Sequence, residues 1–329
     1  MFFFDKTNSR NNKEVLNKFK KRFQVIGIND LGEIDNYKDQ FSLEYLYIQK
    51  GGKKDKWESS IIKTIVHSVY PQKLKELHGD KYAFISEWMS HKFSNKKIPF
   101  VPYIVEIKKN NDDLKKKLKI KKSQIVIGCH GGQSSFDLNF AQDSIMEVVK
   151  NREDLTFLFL NIKKFCNHPR IIFLKGSPDE FYKKKFLNTC DAMIYGRSLG
   201  ESFGLACGEF AILNKLILSY KFNRHRGHLY HLYNKGFLEY SSKKSLYKIL
   251  NTLNKSSLKK KIKNKYSKYS AKFVMRLFKK EFLDKDENIN FSSLDYYSNL
   301  NAHVEMLYYY LRHKIYSHYY KFVESKLFN

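Results

Sequence analysis

Short unbroken apolar runs alternate with helix-periodic segments through the second half of this chain. Ile125–Cys129, Leu155–Leu160, Arg170–Leu174, Ala192–Tyr195 and Leu216–Leu218 are the apolar runs. Asn139–Val149, Asp179–Leu187 and Leu205–Leu213 are the helical segments between them. Continuous apolar strands alternating with helices predict a parallel sheet covered on both faces. Ligands of such sheets bind at the carboxyl ends of the strands, where His130-Gly131-Gly132 and Gly196-Arg197 fall. Gly236–Tyr240 predicts a last strand, followed by helices over roughly 244–253 and 258–282. Leu300, Val304, Leu307, Leu311, Ile315 and Phe322 then recur at three-, four- or seven-residue steps, one face of an amphipathic helix.

The first hundred residues are less regular. Phe23–Ile28, Phe41–Ile48, Ile61–Tyr70 and Tyr82–Ser86 predict strands, with Met1–Phe4 a remnant strand; Lys13–Phe19 and Trp88–Phe93 predict helices. Pro99–Val105 reads as extended, because each proline disfavours helix at the residue before it. It marks an interdomain linker that ends in the polar run Lys108–Asp113.

The chain has 329 residues, enough for two domains, and its 42% apolar content can fill two cores. Its net charge of +28 implies anionic partners. Nucleic acid is disfavoured among them, because no helix-turn-helix, zinc or aromatic RNA-binding motif is present. Between Lys243 and Lys285 stand 15 Lys/Arg and 2 acids, 15 − 2 = +13. That segment reads either as the solvated face of helices or as a surface that adheres to anionic lipid. Eight tyrosines lie between Tyr296 and Tyr320. Their helix reads either as packed on a neighbouring domain or subunit, or as lying on a membrane surface. Cys129, Cys166, Cys190 and Cys207 have no C-x-x-C spacing, which predicts free thiols in a reducing, cytoplasmic setting. No signal peptide or transmembrane helix is expected. Oligomeric state is not legible.

The most informative segment is Glu201-Ser202-Phe203-Gly204-Leu205-Ala206-Cys207-Gly208-Glu209. Two carboxylates bracket a glycine loop and a helix start, where unpaired N–H groups can hold a phosphate. Each carboxylate can take sugar hydroxyls on one side of it. Asp191 to Glu209 as a whole resembles the donor-site signature of retaining glycosyltransferases of the GT-B fold, the group 1 or family 4 type. Asn214–Leu218, Phe157–Asn161 and His130-Gly131-Gly132 extend the likeness, which covers roughly half the chain.

The resemblance implies an α/β GT-B architecture: two Rossmann-like domains facing across a cleft, with a helical C-terminal extension. The expected division is 1–105 for an abbreviated acceptor domain, 106–255 for the nucleotide-sugar domain, and 256–329 for helices that partly pack back on the first domain. It implies transfer of a hexose or pentose from a UDP- or GDP-linked donor to a glycan or lipid-linked hydroxyl, with anomeric configuration retained. By the same resemblance, Glu209 holds the nucleotide ribose and Glu201 faces the sugar hydroxyls. Ser202, Phe203, Gly204 and Leu205 meet the sugar and diphosphate, and His130, Gly131 and Gly132 form the phosphate turn. His67 resembles the family's cleft histidine, although a neutral histidine in a core strand reads equally well. Ser86 and Glu87 fall on the acceptor side.

Two departures stand out. Many relatives carry an Arg and a Lys soon after the first strand of the second domain, and this chain has neither. Arg197 is then the first candidate to offset diphosphate charge, followed by Lys163, Lys175 and a protonated His130. No glycine precedes Gly27, where relatives have a glycine-rich loop. These departures keep an alternative open: a catalytically degenerate GT-B module acting as a scaffold or partner subunit. No Asp-x-Asp pair stands at a strand end, so no essential metal and no cofactor are expected.

Overall fold

The structure is a computed structural model that describes residues 1–9, 11–55, 58–232, 236–259, 263–285, 291 and 294–327. In the first part, β1 (Phe2–Asp5) pairs in parallel with β2 (Val25–Ile28) across α1 (Lys13–Lys20). The predicted remnant strand is therefore a real one. A separate parallel sheet follows, β3 (Tyr45–Lys50), β4 (Lys63–Ser68) and β5 (Lys81–Phe84), and α2 (Glu87–Ser94) leaves its carboxyl end. Ser86 caps α2, accepting from the Met89 N–H at 3.2 Å. The proline-bounded Pro99–Val105 segment is extended, as its sequence requires, but it is not a solvated tether. Val101 and Val105 are buried, and the Val101 N–H donates to the Phe84 carbonyl at 2.9 Å.

The second part is the predicted parallel sheet. Its strands are β6 (Ile125–His130), β7 (Leu155–Leu160), β8 (Ile171–Leu174), β9 (Ala192–Tyr195), β11 (Leu216–Tyr220) and β13 (Phe237–Tyr240). Between them run α3 (Asn139–Asn151), α4 (Glu180–Thr189), α5 (Leu205–Ile212) and α6 (Gly227–Leu232). The short strands β10 (Gly200–Glu201) and β12 (His225–Arg226) pair beside the main sheet, and α7 (Lys243–Thr252) closes it. Every pairing is parallel, in the order β13-β11-β9-β6-β7-β8. Ile127, Leu158, Met193 and Ile217 are fully buried, which is why these strands read as unbroken apolar runs.

One expectation fails. The helix over 258–282 is broken. Residues 260–262 lie outside the described residues. The rest forms the single turns Ser257–Lys259 and Tyr266–Lys268, then α8 (Ala271–Phe278), which runs on into a π-turn at Lys279–Leu283. Tyr266 explains the break. Its ring is fully buried against Gly208, and its hydroxyl donates to the Phe203 carbonyl at 2.6 Å. A continuous helix would have to withdraw it.

The expected amphipathic helix is α9 (Tyr296–Leu327). The face that it lays on the protein is not the predicted Leu/Val/Ile stripe. It is Asn299, Ala302, Met306, Tyr309, His313, Tyr316 and Tyr320, at alternating steps of three and four. Asn299 Nδ2 donates to the carbonyls of Gln72 (3.0 Å) and Phe93 (3.1 Å), beside the three-stranded sheet. Tyr320 donates to Asp143 at 2.6 Å, and Tyr316 accepts from the Lys243 N–H at 3.0 Å, beside the six-stranded one. One helix thus straps both sheets, and the predicted stripe faces outward.

Gly208 stands in the interior of α5, where alanine is intrinsically favoured by about 1 kcal/mol. A Cβ there would lie 2.7 Å from Cδ1 of the buried Tyr266 ring. Overpacking of this kind costs about 1–3 kcal/mol. Gly208→Ala is therefore expected to lower the denaturant midpoint; a raised midpoint would show that helix propensity decides instead.

Candidate functional site

The strand order reverses between β6 and β9, since the chain leaves β6 toward β7 and β8 and then returns to β9, β11 and β13. A parallel sheet opens a crevice at the carboxyl ends of the strands flanking such a reversal. β6 ends there in His130, and β9 ends in Tyr195, two residues before Arg197.

The loops at this edge hold each other. Asp137 accepts from the Ser198 N–H (2.7 Å) and hydroxyl (2.9 Å). A Cβ at Gly196 would fall 2.5 Å from the Phe136 ring, so only glycine lets the two loops close. Phe203 is buried among Tyr103, Tyr266, Tyr269 and His231. Gly204 then takes φ +85°, a left-handed turn that glycine adopts without strain. That turn starts α5, and no side chain caps its first N–H groups. An uncapped amino end carries partial positive charge and suits an anion.

Both glutamates are engaged. Glu201 Oε1 accepts from Arg197 (2.9 Å) and from the Tyr195 hydroxyl (3.1 Å), with the carboxylate partly exposed. Burial, together with the charge of Glu201, pushes the Tyr195 hydroxyl well above the usual tyrosine range. Glu209, one turn into α5, is only 3% exposed. Lys183 of α4 lies 2.5 Å from one oxygen, and His130 Nε2 lies 2.9 Å from the other. Burial alone would raise the Glu209 carboxyl; the His130 and Lys183 contacts outweigh it and hold the group below the ordinary carboxylate value. His130 is fixed in turn by stacking on Phe210, ring centroids 6.0 Å apart.

The other expected site residues scatter. His67 is buried in β4 with both ring nitrogens occupied, Nδ1 by the Tyr47 hydroxyl (2.6 Å) and Nε2 by the Val101 carbonyl (2.7 Å). It enters no cleft, and the core-histidine reading describes it. Ser86 is buried as the cap of α2. Glu87 is paired with Lys265 at 2.9 Å. The Gly131 N–H donates to the Leu160 carbonyl (3.4 Å) and the Gly132 N–H to Ser135 Oγ (3.0 Å), so neither amide is idle. Ser202 Oγ donates to the Val69 carbonyl at 2.5 Å, joining the site to the end of β4. Leu205 is exposed at the start of α5. Lys163 is exposed, and Lys175 lines a surface hollow with Asn12 and Lys13, ahead of and inside α1.

Two participants escaped sequence reasoning. Lys183 belongs to the run Lys183-Lys184-Lys185, whose members diverge: Lys183 reaches Glu209, Lys184 is buried, and Lys185 meets Asp112 at 3.1 Å. Nothing in the run distinguishes them. Tyr103 comes from the proline segment; burial raises its hydroxyl pKa, and the nearby Glu201 charge adds to the rise. Among the described residues no three His, Cys, Asp or Glu side chains gather as a metal site.

No family model matches the chain, and no curated protein matches its sequence. Solved structures do match its fold. A glycosyltransferase from Rickettsia africae superposes with TM-score 0.54 at 13% identity, over 84% of this chain and 89% of that one. Anabaena HepE, solved with UDP and glucose, gives 0.55 at 11%, over 82% and 87%. A Listeria monocytogenes protein assigned as a UDP-N-acetylglucosamine 2-epimerase gives 0.51 at 11%, over 88% and 98%. The chain has the GT-B fold. The expected architecture thus holds, while identities this low leave chemistry to the residues.

Four buried histidines set the pH response of this framework. Burial lowers His67 and His231 from 6.5 to about 4, and His225 and His228 to about 3. Above pH 6.5 folded and unfolded chains are both neutral at these positions, so the stability is fully present. As pH falls below 6.5 the unfolded chain takes up protons that the folded one refuses, and stability drops until about pH 3–4. Unfolding free energy should fall by more than about 3 kcal/mol between pH 7 and pH 5. A flat denaturant midpoint across that interval would refute the assignment of neutral, buried imidazoles.

Proposed function

We propose that this chain is a glycosyltransferase that moves a sugar from a nucleotide-sugar, UDP-linked in first instance, to an acceptor hydroxyl with retention of anomeric configuration. One observation carries the proposal. Glu201, Arg197 and Tyr195 converge beside the uncapped start of α5, at the strand-order reversal of a parallel sheet. The fold match to structures holding UDP and glucose supports it.

In this reading the diphosphate rests on the first N–H groups of α5, which cost no reorganisation because Tyr266 and Gly204 already fix them. Arg197 has five N–H donors and spends one on Glu201. The others offset charge that builds on the leaving diphosphate. Glu201 accepts from sugar hydroxyls and sets the angle of the ring. Glu209, buried between His130 and Lys183, holds both side chains in place at the carboxyl end of the sheet. As the anomeric C–O bond breaks, its electron pair goes to the diphosphate; the acceptor oxygen forms the new bond on the same face, and its proton passes to the departing diphosphate oxygen. His67 takes no part. The division 1–105, 106–255 and 256–329 is proposed with it, the first unit carrying the glycan or lipid-linked acceptor.

Two rivals have specific support. The epimerase-assigned neighbour shares the fold; the Glu201–Glu209 segment favours transfer over epimerisation. The buried, paired Glu209, and the lack of an Arg/Lys pair after β6, favour a non-catalytic module.

The test combines binding and turnover. In a thermal-shift screen across UDP-, GDP-, ADP- and CDP-sugars, the true donor at 100 times its Kd should add about 2.7 kcal/mol of stability. With that donor, Glu201→Gln should reduce nucleotide release at least ~100-fold while unfolding like the parent. Binding without turnover supports the non-catalytic module, and isomerisation of the donor sugar without acceptor supports the epimerase.

A further inference from the structure

Helix α9 carries a second apolar face besides the one that straps the sheets. It repeats at steps of eleven: Tyr297, Tyr308 and Tyr319; Leu300 and Leu311; Val304 and Ile315. Eleven residues in three turns is about 3.67 per turn, close to the helix's own 3.6, so the stripe runs almost along the axis. It extends about 33 Å from Tyr297 to Tyr319 at 1.5 Å per residue. Its aliphatic members Leu300, Val304, Leu307, Leu311 and Ile315 are 45–65% exposed. A continuous apolar stripe of this length on a surface marks an interaction site.

Charge identifies the occupant. Between Tyr296 and Val323 the helix has three bases, Arg312, Lys314 and Lys321, and one acid, Glu305. Glu305 is paired with Lys92 at 2.8 Å. At 100° per residue, Arg312 lies along one edge of the stripe, and Lys314 and Lys321 along the other. Arg312 rests over Phe222, 5.1 Å from the ring centroid, and Lys314 over Tyr310 at 5.5 Å, so both bases are held at the rim. A second copy of the chain carries the same net charge of +28 and the same basic rim, which opposes self-association through this face. Anionic lipid headgroups attract each of these bases, acyl chains receive the aliphatic stripe, and tyrosine rings sit at the headgroup boundary. No helix among the described residues is long and apolar enough to cross a membrane, so the contact lies in the plane of the surface.

We infer that α9 docks on a membrane bearing anionic lipid, outer stripe toward the acyl chains, and holds both sheets at that surface. The inference is independent of the sugar-transfer reading.

Co-sedimentation of the full chain with vesicles tests it, using phosphatidylcholine alone and phosphatidylcholine with roughly 30% phosphatidylglycerol, at about 0.15 M salt. The chain should pellet with the anionic vesicles and stay in solution with the neutral ones. Leu307→Ser/Leu311→Ser keeps every charge and alters only exposed side chains. It should unfold like the parent yet partition at least about tenfold more weakly. Arg312→Gln/Lys314→Gln should weaken binding more at low salt than at high, because salt already screens the attraction that these bases supply. The inference is overturned if the parent stays in solution with anionic vesicles. It is equally overturned if the double serine variant pellets like the parent, since diffuse charge would then account for binding. A concentration-dependent dimer in sedimentation velocity that the serine variant abolishes would also overturn it, by naming a second copy as the occupant.

Discussion

The hydrogen bond from the Tyr266 hydroxyl to the Phe203 carbonyl, 2.6 Å long and fully buried, fixes the backbone turn on which the site depends. It holds Phe203 in its aromatic pocket and leaves Gly204 in the left-handed conformation that starts α5. Glycine is required there twice: by its φ, and because a Cβ would lie 2.5 Å from Cβ of His228. The tyrosine ring fills the space that Gly208 leaves one turn later. A segment far along the chain thereby sets the direction of α5. That direction places Glu209 against His130 and Lys183, and leaves the first N–H groups of α5 without a side-chain cap.

The charged groups follow from this geometry. Burying Glu209 would be costly in isolation, and contacts with His130 of β6 and Lys183 of α4 compensate it, tying three elements together. Glu201 stays partly exposed, with an arginine that keeps most of its donors unspent. The two acids look symmetric in sequence, one at each end of the same segment. Burial separates them into a structural carboxylate and an accessible one.

How much the sequence disclosed follows from how each feature is encoded. The six-stranded sheet was legible because strands buried on both faces must be apolar throughout. The turn at Gly204 and the Glu201–Glu209 segment were legible because backbone conformation and charge are written locally. The broken 258–282 region was not, because Tyr266 is pulled out of helical register by a partner some sixty residues earlier. The α9 stripe was legible as one face of an amphipathic helix, but the face that docks on the sheets was not, because it uses Tyr, His, Asn, Ala and Met in place of Leu and Val. The contacts of His67 and Lys183 were not legible because hydrogen-bond partners are a tertiary property. The Tyr47 and Val101 groups that occupy His67 come from separate elements.

A crystal structure of the chain soaked with a nucleotide-sugar tests the central claim most directly. Diphosphate oxygens are expected within hydrogen-bond distance of the Leu205 and Ala206 N–H groups, with a sugar hydroxyl on Glu201. Density for the nucleotide elsewhere on the protein, or Glu201 still bonded only to Arg197 and Tyr195 beside an occupied site, would contradict it.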